Sequence, residues 1–552
     1  MVARRVSQVV VETEVLNETP TVRASQVLVE AEINQHRDVL ISQVVVEVEV
    51  LVPVDYSARP AAMLEIQWNG IAWDDESPWV IRPVTYEYGV MAQGGLSDLG
   101  MAASVAMMTV MLDNSDGRYS EDRAGSQAAI YGLFQVKIRF SAGYYVGETP
   151  DLGQIFIGRI QDPIEDEANA RVTLVCQGFD QDLQQDALDT VANEGKRADE
   201  LIGEWATALG FTDTDLDRGY AVVPWHYLDA SDCLAAMRQL AEAEGGIGWV
   251  DAQDGYLKFW SWPHWVGAAS ATTVTRDYVA GSLPTENVRV RRNPRDARDV
   301  VNVVYVPRRL GESTTIHSLT APIVLPANGS QEVRLRFRYP LGRLDSFTTR
   351  AHSGGGANMD AYLTVGTTSP ASATEWVTTL TNTHPTEAIV VDKFTVVGWP
   401  IEGLPNREYR AEASVPLTVS RRHDVYPGQP VRLEVRSRYA LQTEAQAKLI
   451  GDLKLQRLQE PALMLTIGPV PGDADRHVGD VVTVNLSEGI STINTPAVLL
   501  YRKGTFGVER WEESWSAVAL GDLYEYTDVS EGTGDGYFVV GTSRLGFGRL
   551  GY

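Results

Sequence analysis

Met108 to Leu183 decides how the chain is read. A strand ends in Leu112-Asp113-Asn114-Ser115-Asp116-Gly117-Arg118-Tyr119-Ser120; next comes Ile130-Tyr131-Gly132-Leu133-Phe134-Gln135-Val136-Lys137-Ile138, and then Ile155-Phe156-Ile157-Gly158-Arg159-Ile160. Asn114, Asp116 and Gly117 are turn formers closing an alternating strand, because short polar side chains bond the nearby backbone and glycine takes a positive φ without steric cost. With Tyr119 they make a structural turn motif. Val136-Lys137-Ile138-Arg139-Phe140 and Val172-Thr173-Leu174-Val175-Cys176 repeat the period-two pattern on further strands, so the stretch reads as the wall of a β-barrel and not as an active site.

The chain has 552 residues, enough for roughly three to five domains. Lys and Arg total 47 against 73 Asp and Glu, a net charge of −26 that argues against a surface built for nucleic acid or anionic membrane. The same excess fits a lumen through which DNA passes without sticking. Cys176 and Cys233 are the only cysteines, which excludes a disulfide framework or a cysteine-based zinc site. The N-terminus, Met1-Val2-Ala3-Arg4-Arg5-Val6-Ser7-Gln8, has no apolar signal core, and no apolar run approaches the roughly 18 residues of a membrane span. A soluble protein made in a cytoplasm is expected.

Residues 1–57 form an arm of three repeats that begin at Ser7-Gln8-Val9, Ser25-Gln26-Val27 and Ser42-Gln43-Val44. Each alternates, with valines on one face and glutamates on the other, so each is expected to be a strand with one buried face. Three such strands make a poor core. Val9, Val11, Val27, Val29, Val44 and Val46 are therefore candidate partner-binding positions for strand addition, the alternative being a small self-contained sheet.

Beyond the strand-rich region 58–188, Arg197 to Leu209 carries Leu201, Ile202, Trp205 and Leu209 at helical spacing, and Ser231 to Glu244 carries Leu234, Met237 and Leu240 before Gly245-Gly246. A hairpin follows: Gly248 to Asp251, an Asp254-Gly255 turn, and Tyr256 to Trp260. Residues 189–272 thus read as an α+β domain, and 273–320 returns to strands. Short alternating runs with frequent turn signals mark 321–414 as an inserted β-sandwich. In 415–520, Thr443-Glu444-Ala445-Gln446 is a capping box opening a helix that halts at Pro461, and further strands follow. The tail, 521–552, is Gly- and Tyr-rich: a flexible end or a short docking β-segment.

Tests for chemistry return no catalytic, cofactor-binding or metal residues. A calcium loop placing Gly117 sixth would start at Leu112 and lacks its closing Glu. The eight histidines are scattered, and there is no Gly-x-Ser-x-Gly elbow. Glu165-Asp166-Glu167 and the trio Glu509, Glu512 and Glu513 read as solvated charge runs. Trp249, Trp260, Trp262 and Trp265 either stack sugars or pack a core. Arg289, Arg291, Arg292, Arg295 and Arg298 form the one candidate phosphate patch, set against the reading of a loop salt-bridged to an acidic neighbour, which Pro294, Asp296 and Asp299 favour.

The order strand, "N-x-D-G-R-Y-S" turn, "Y-G-L", strand, "F-I-G-R-I", strand, then Cys176-Gln177-Gly178-Phe179-Asp180-Gln181-Asp182-Leu183, resembles the first domain of phage tail hub proteins. A second stretch, Leu240, Ala241, Gly245, Gly246, Trp249, Asp251, Gly255 and Leu257, resembles the same family and the related spike proteins of contractile injection systems. The resemblance covers about 60–320 and 415–520. It implies a mainly β, multidomain fold with two barrel domains, the second combining 273–320 with 415–520, beside the α+β domain and the inserted sandwich. It further implies a structural virion protein without cofactor: a homotrimer at the distal tip of a tail tube, presenting six barrels to a six-fold ring. Tail tube proteins above, fibre or tip proteins below, and phage DNA passing through the lumen would be its partners. The alternatives are a receptor- or carbohydrate-binding tail adhesin and a tail-associated cell-wall hydrolase.

Overall fold

The computed structural model describes residues 24–30 and 42–48 and, apart from the segments 92–102, 265–271, 276–281, 293–296, 414–431 and 487–492 and some shorter breaks, residues 59–519. In the arm, β1 (Ala24–Glu30) and β2 (Ser42–Val48) pair antiparallel, with Leu28 opposite Val44 and Gln26 opposite Val46. The second and third repeats thus pair with each other; Val9 and Val11 of the first lie outside the described residues, as does the tail 521–552.

The first sheet unit comprises β3 (Pro60–Gln67), β4 (Val80–Met91), β5 (Ala103–Asp113), β6 (Lys137–Val146), β7 (Thr149–Asp166) and β8 (Arg171–Gln177), paired antiparallel in the order β3-β6-β7-β8-β5-β4. Alternation places one face of each strand in the core: Met108, Val110 and Leu112 from β5 meet Val172, Leu174 and Cys176 from β8, all buried. Next come α1 (Ala198–Ala208), β9 (Thr214–Leu216), α2 (Cys233–Ala243), and the hairpin of β10 (Ile247–Val250) and β11 (Leu257–Trp260), which β9 joins in parallel. Asp232 caps α2 by accepting from the Ala235 amide at 3.1 Å. Gly245, at φ +64, ends it, and a Cβ on Gly246 would lie 2.1 Å from the Trp260 carbonyl oxygen, so the Gly-Gly pair is demanded by the helix-to-hairpin turn.

After β12 (Thr272–Thr275) and β13 (Val288–Arg292), the chain enters β14 (Val300–Tyr305) and then two facing sheets. These are built around Ile389–Gly403 and Glu375–Asn382 over a core of Leu335, Leu380, Val391, Phe394 and Val396. Arg308–Leu310 and Thr314–Ser318 pair with Ile389–Gly403, so the sandwich draws on strands upstream of 321. Conversely, β15 (Arg407–Glu412), upstream of 414, pairs with β14, which also takes β16 (Arg432–Arg436) in parallel. The helix α3 (Glu444–Leu458) packs against β14 and β15. Its capping box is formed: Thr443 Oγ1 accepts from the Gln446 amide at 3.2 Å and Gln446 Oε1 from the Thr443 amide at 3.1 Å.

The second sheet unit closes with β17 (Leu463–Pro471), β18 (Val481–Leu486), β19 (Ile493–Phe506) and β20 (Trp511–Ala519), in the order β12-β18-β19-β20-β17-β13. Ranked by position in the chain, the strands of both units read 1-4-5-6-3-2. Four of the five pairings match in direction; the exception is β12, parallel to β18 where β3 is antiparallel to β6. The molecule is mainly β and multidomain, but neither unit closes into the barrel expected from the resemblance. The end strand β4 pairs with β19 and not with β3, which fuses both units into one 14-stranded sheet. Among the described residues no helix is long and apolar enough to cross a membrane.

Candidate functional site: the junction of the two sheet units

The fused seam is antiparallel: Tyr501 to Phe506 of β19 lie opposite Gly89 to Val84 of β4. On its more open face the Lys503 ammonium lies 3.3 Å from Glu87, and the Tyr501 hydroxyl donates to the same carboxylate at 2.7 Å. Burial and then this hydrogen bond push the Tyr501 hydroxyl well above its ordinary pKa. The strands approach so closely that a Cβ on Gly89 would lie 2.3 Å from the Leu500 carbonyl oxygen, and one on Gly504 would lie 2.1 Å from the Tyr86 ring.

Beneath the seam lies a fully buried ion pair. Arg502 and Glu513 both have side chains 0% exposed, with Arg502 Nη2 2.7 Å from each carboxylate oxygen of Glu513. Tyr86 donates to Glu513, Trp515 Nε1 donates to Glu513 Oε2 at 2.6 Å, and Trp511 Nε1 donates to the Tyr86 hydroxyl at 2.7 Å. The guanidinium also donates to Gln253 Oε1 at 3.1 Å and to the carbonyls of Asp473 and Arg476. Gln253 in turn accepts from the Tyr88 hydroxyl and donates to the Ala474 carbonyl at 2.7 Å. One network therefore ties β4 of the first unit, β19 and β20 of the second, the β10–β11 turn and the segment between β17 and β18. Burial, reinforced by the Glu513 charge, holds the Tyr86 hydroxyl far above its usual range, so it stays protonated and donates to Glu513 while accepting from Trp511.

This corrects the reading of Glu509, Glu512 and Glu513 as a solvated run. Glu509 is exposed and Glu512 pairs with Arg510 at 3.0 Å, but Glu513 shares the inward face of β20 with Trp511, Trp515 and Ala517. The signal was present: a period-two alternation that puts one acid among tryptophans.

A second acidic group lies next to it. Asp251, Asp254 and His477 bring ligand atoms within 4.8 Å of one another, a grouping the sequence did not disclose. Lys258 Nζ sits between the carboxylates, 2.7 Å from Asp251 and 2.9 Å from Asp254. Burial alone would raise the Asp251 pKa, but the nearby His477, 4.0 Å away, and the Lys258 ammonium outweigh it and hold the group below its ordinary value. The ammonium already supplies the positive charge such a cluster needs, so a divalent cation would have to displace it.

The turn motif is anchored elsewhere in the first unit. Gly117 has φ +66, its amide donates to the Asn114 carbonyl, Asn114 Oδ1 accepts from the Tyr119 amide at 3.0 Å, and Asp116 accepts from the Arg118 amide at 3.0 Å. The buried Tyr119 donates to Glu76 Oε2 at 2.6 Å; Glu76, 0% exposed, also accepts from Trp68 Nε1 at 3.0 Å and Arg118 Nη2 at 2.9 Å.

The remaining candidates separate. Trp249 and Trp260 are buried and meet edge to face at 4.5 Å, a packing contact and not a sugar platform; Trp262 and Trp265 lie outside the described residues. Arg289 and Arg291 lie on strand β13, exposed, where a salt-bridged loop was expected, and neither makes an ion pair among the described residues; Arg295 lies outside them. Both cysteines are buried, and burial pushes the Cys233 thiol up to about 12.

No protein-family model and no curated protein sequence matches the chain. Solved structures do. A tail protein from Neisseria meningitidis MC58 is 8% identical, with 84% of this chain and 97% of that one covered at a TM-score of 0.45. The 43 kDa tail protein of prophage MuSo2 from Shewanella oneidensis is 8% identical over 84% of this chain and 99% of its own, at 0.43. The E. coli c3393 protein, a component of the type VI secretion system, is 8% identical over 84% and 78%, at 0.36.

Proposed function

We propose that this protein is the structural hub of a phage-type tail. It is a homotrimer at the distal tip of the tail tube that matches three subunits to a six-fold ring, closes the channel until the genome leaves, and carries fibre or tip proteins. The observation that carries the reading is the duplicated strand order: a chain holding two sheet units of one topology offers six when three copies assemble. The two motifs that resemble tail hubs support it further, since one lies in the first unit and the other forms the helix and hairpin whose turn enters the junction. The buried carboxylates bear on the rival hydrolase reading: Glu513, Glu76 and Asp251 each spend their charge on a neighbouring cation, which leaves none poised as a general acid. The inserted sandwich, lying in the chain between β13 and β17, is the candidate platform for fibres.

The charge of −26 per chain then serves the lumen, where acid side chains repel the phosphates of passing DNA. Light scattering of the purified chain tests the assembly. A mass of three times 60.6 kDa is expected, and a chain that stays monomeric at every concentration contradicts the trimer.

A further inference from the structure

The duplication can be read residue by residue, and it exposes a missing partner. Strands β7 and β19 occupy the same rank in their units. β7 pairs with β6 as far as Arg159, and β19 pairs with β18 as far as Val498. Each then makes a bulge against its other neighbour, between Ile160 and Asp162 in β7 and between Leu499 and Tyr501 in β19. The bulges superpose Asp162 on Tyr501, and the register continues to Asp166 on Thr505. Carried across β8 and β20 to the next strands, the same register sets Met107 against Met464 and Thr109 against Thr466, and so β4 against β13, with Thr85 matching Arg289 and Glu87 matching Arg291.

In the second unit, the side of β19 freed after Val498 is taken by β4, which is the seam. Among the described residues, neither the corresponding side of β7, Asp162 to Asp166, nor the outer side of β13, the equivalent of β4, has a strand partner. The two open edges are complementary. β7 ends Asp162-Pro163-Ile164-Glu165-Asp166, and β13 reads Val288-Arg289-Val290-Arg291-Arg292. Ile164 is 50% exposed and Val290 44%, the apolar excess an unfilled edge leaves. Transferring the seam's register sets Asp166 opposite Arg289, as Thr505 stands opposite Thr85, and Ile164 opposite Arg291, with Asp162 and Asp166 flanking Arg291 on the same face. The internal seam carries Glu87 opposite Lys503 at that position; here the cation Arg291 stands opposite Ile164 and its acids are the diagonal neighbours Asp162 and Asp166.

We propose that the acidic edge Asp162–Asp166 of β7 is the docking site for the basic edge strand β13 of a second copy of this chain, paired antiparallel as β4 pairs with β19. The contact is head-to-tail, so repetition closes a ring in which internal and intermolecular seams alternate. The inference rests on the trimeric reading above and names the surface that makes it.

The test uses the full chain with Asp166→Cys and Arg289→Cys together. Oxidation with copper phenanthroline is expected to give covalent dimers and trimers on a non-reducing gel, which the two single variants do not give. In parallel, Arg289→Glu with Arg291→Glu is expected to convert trimers to monomers with an unchanged melting temperature, since both side chains are exposed. Adding Asp162→Lys and Asp166→Lys to that chain is expected to restore the trimer. A trimer that survives the glutamate pair, with no cross-link in the cysteine pair, overturns this seam and leaves the trimer standing. A wild-type chain that is monomeric throughout, with no cross-link, overturns both.

Discussion

Glu76 and Glu513 are both completely removed from water, and they are held in opposite ways. Glu76 is satisfied entirely within the first sheet unit, by Trp68, Arg118 and Tyr119, with Arg118 itself 21% exposed and stacked on Trp79 at 4.0 Å. Glu513 is held by Arg502 and Trp515 of the second unit together with Tyr86 of the first, and its cation is as buried as it is. The first arrangement stiffens one turn of one sheet. The second is the point at which four parts of the molecule depend on each other. A buried pair contributes little over an apolar substitute, but a buried charge left alone is costly. The two sites therefore differ in what is lost when they are broken: local order at Glu76, and the register of the whole junction at Glu513.

The largest expected effect follows from that asymmetry. Arg502→Met strands the Glu513 carboxylate, removes one of the two donors to Gln253 Oε1 and leaves two backbone carbonyls without this donor, and should destabilise the protein by about 3–5 kcal/mol. Adding Glu513→Leu should recover a good part of the loss, because the desolvated charge is then gone. Urea unfolding of the single and double variants measures both. If Arg502→Met unfolds within about 1 kcal/mol of the wild type, the junction does not depend on the pair.

Glycines sharpen the same contrast at smaller scale. At Gly504 a methyl group would enter the Tyr86 ring between two paired strands, where neither partner can yield, so Gly504→Ala should cost about 2–3 kcal/mol. At Gly117 the added carbon meets only the end of the Arg123 side chain, 2.3 Å away, which can swing aside. The cost of Gly117→Val is then mainly the left-handed φ of +66, about 1–2 kcal/mol. Thermal melts of the two variants should rank in that order. The reverse ranking would mean that the turn, not the seam, is the rigid part.

The strands and the turn were legible in the sequence because each is written locally. Alternation from Val172 to Cys176 specifies a half-buried strand, and Thr443 with Gln446 specifies a helix start. The junction was not, because its meaning lies between segments. Glu513 looks solvated beside Glu512 and Glu509, and turns inward only when the face shared with Trp511 and Trp515 is followed two residues at a time. The duplication was hidden for a related reason: equivalence resides in strand order and bulge positions, and Met107 with Met464 or Thr109 with Thr466 are isolated matches within otherwise different strands. Arg308–Leu310, upstream of 321, finds its partner in Ile401–Gly403, a pairing that no local pattern announces.

The smallest expected effect concerns Asp116, where a sequence rich in Asp, Asn and Gly invites a cation and the structure uses the oxygens otherwise. Asp116 accepts from the Arg118 amide, Asn114 Oδ1 from the Tyr119 amide, and the Asn114 carbonyl from the Gly117 amide. An asparagine at 116 offers the same acceptor to the same amide. Asp116→Asn should therefore change stability by no more than about 0.5 kcal/mol. Calorimetric titration with calcium should show the same absence of binding at this turn in both proteins. Heat of binding in the wild type that disappears in the variant would make the turn a cation site. The turn would then no longer be closed on itself in the way that sets it apart from the junction, because its geometry would depend on an ion and not on its own hydrogen bonds.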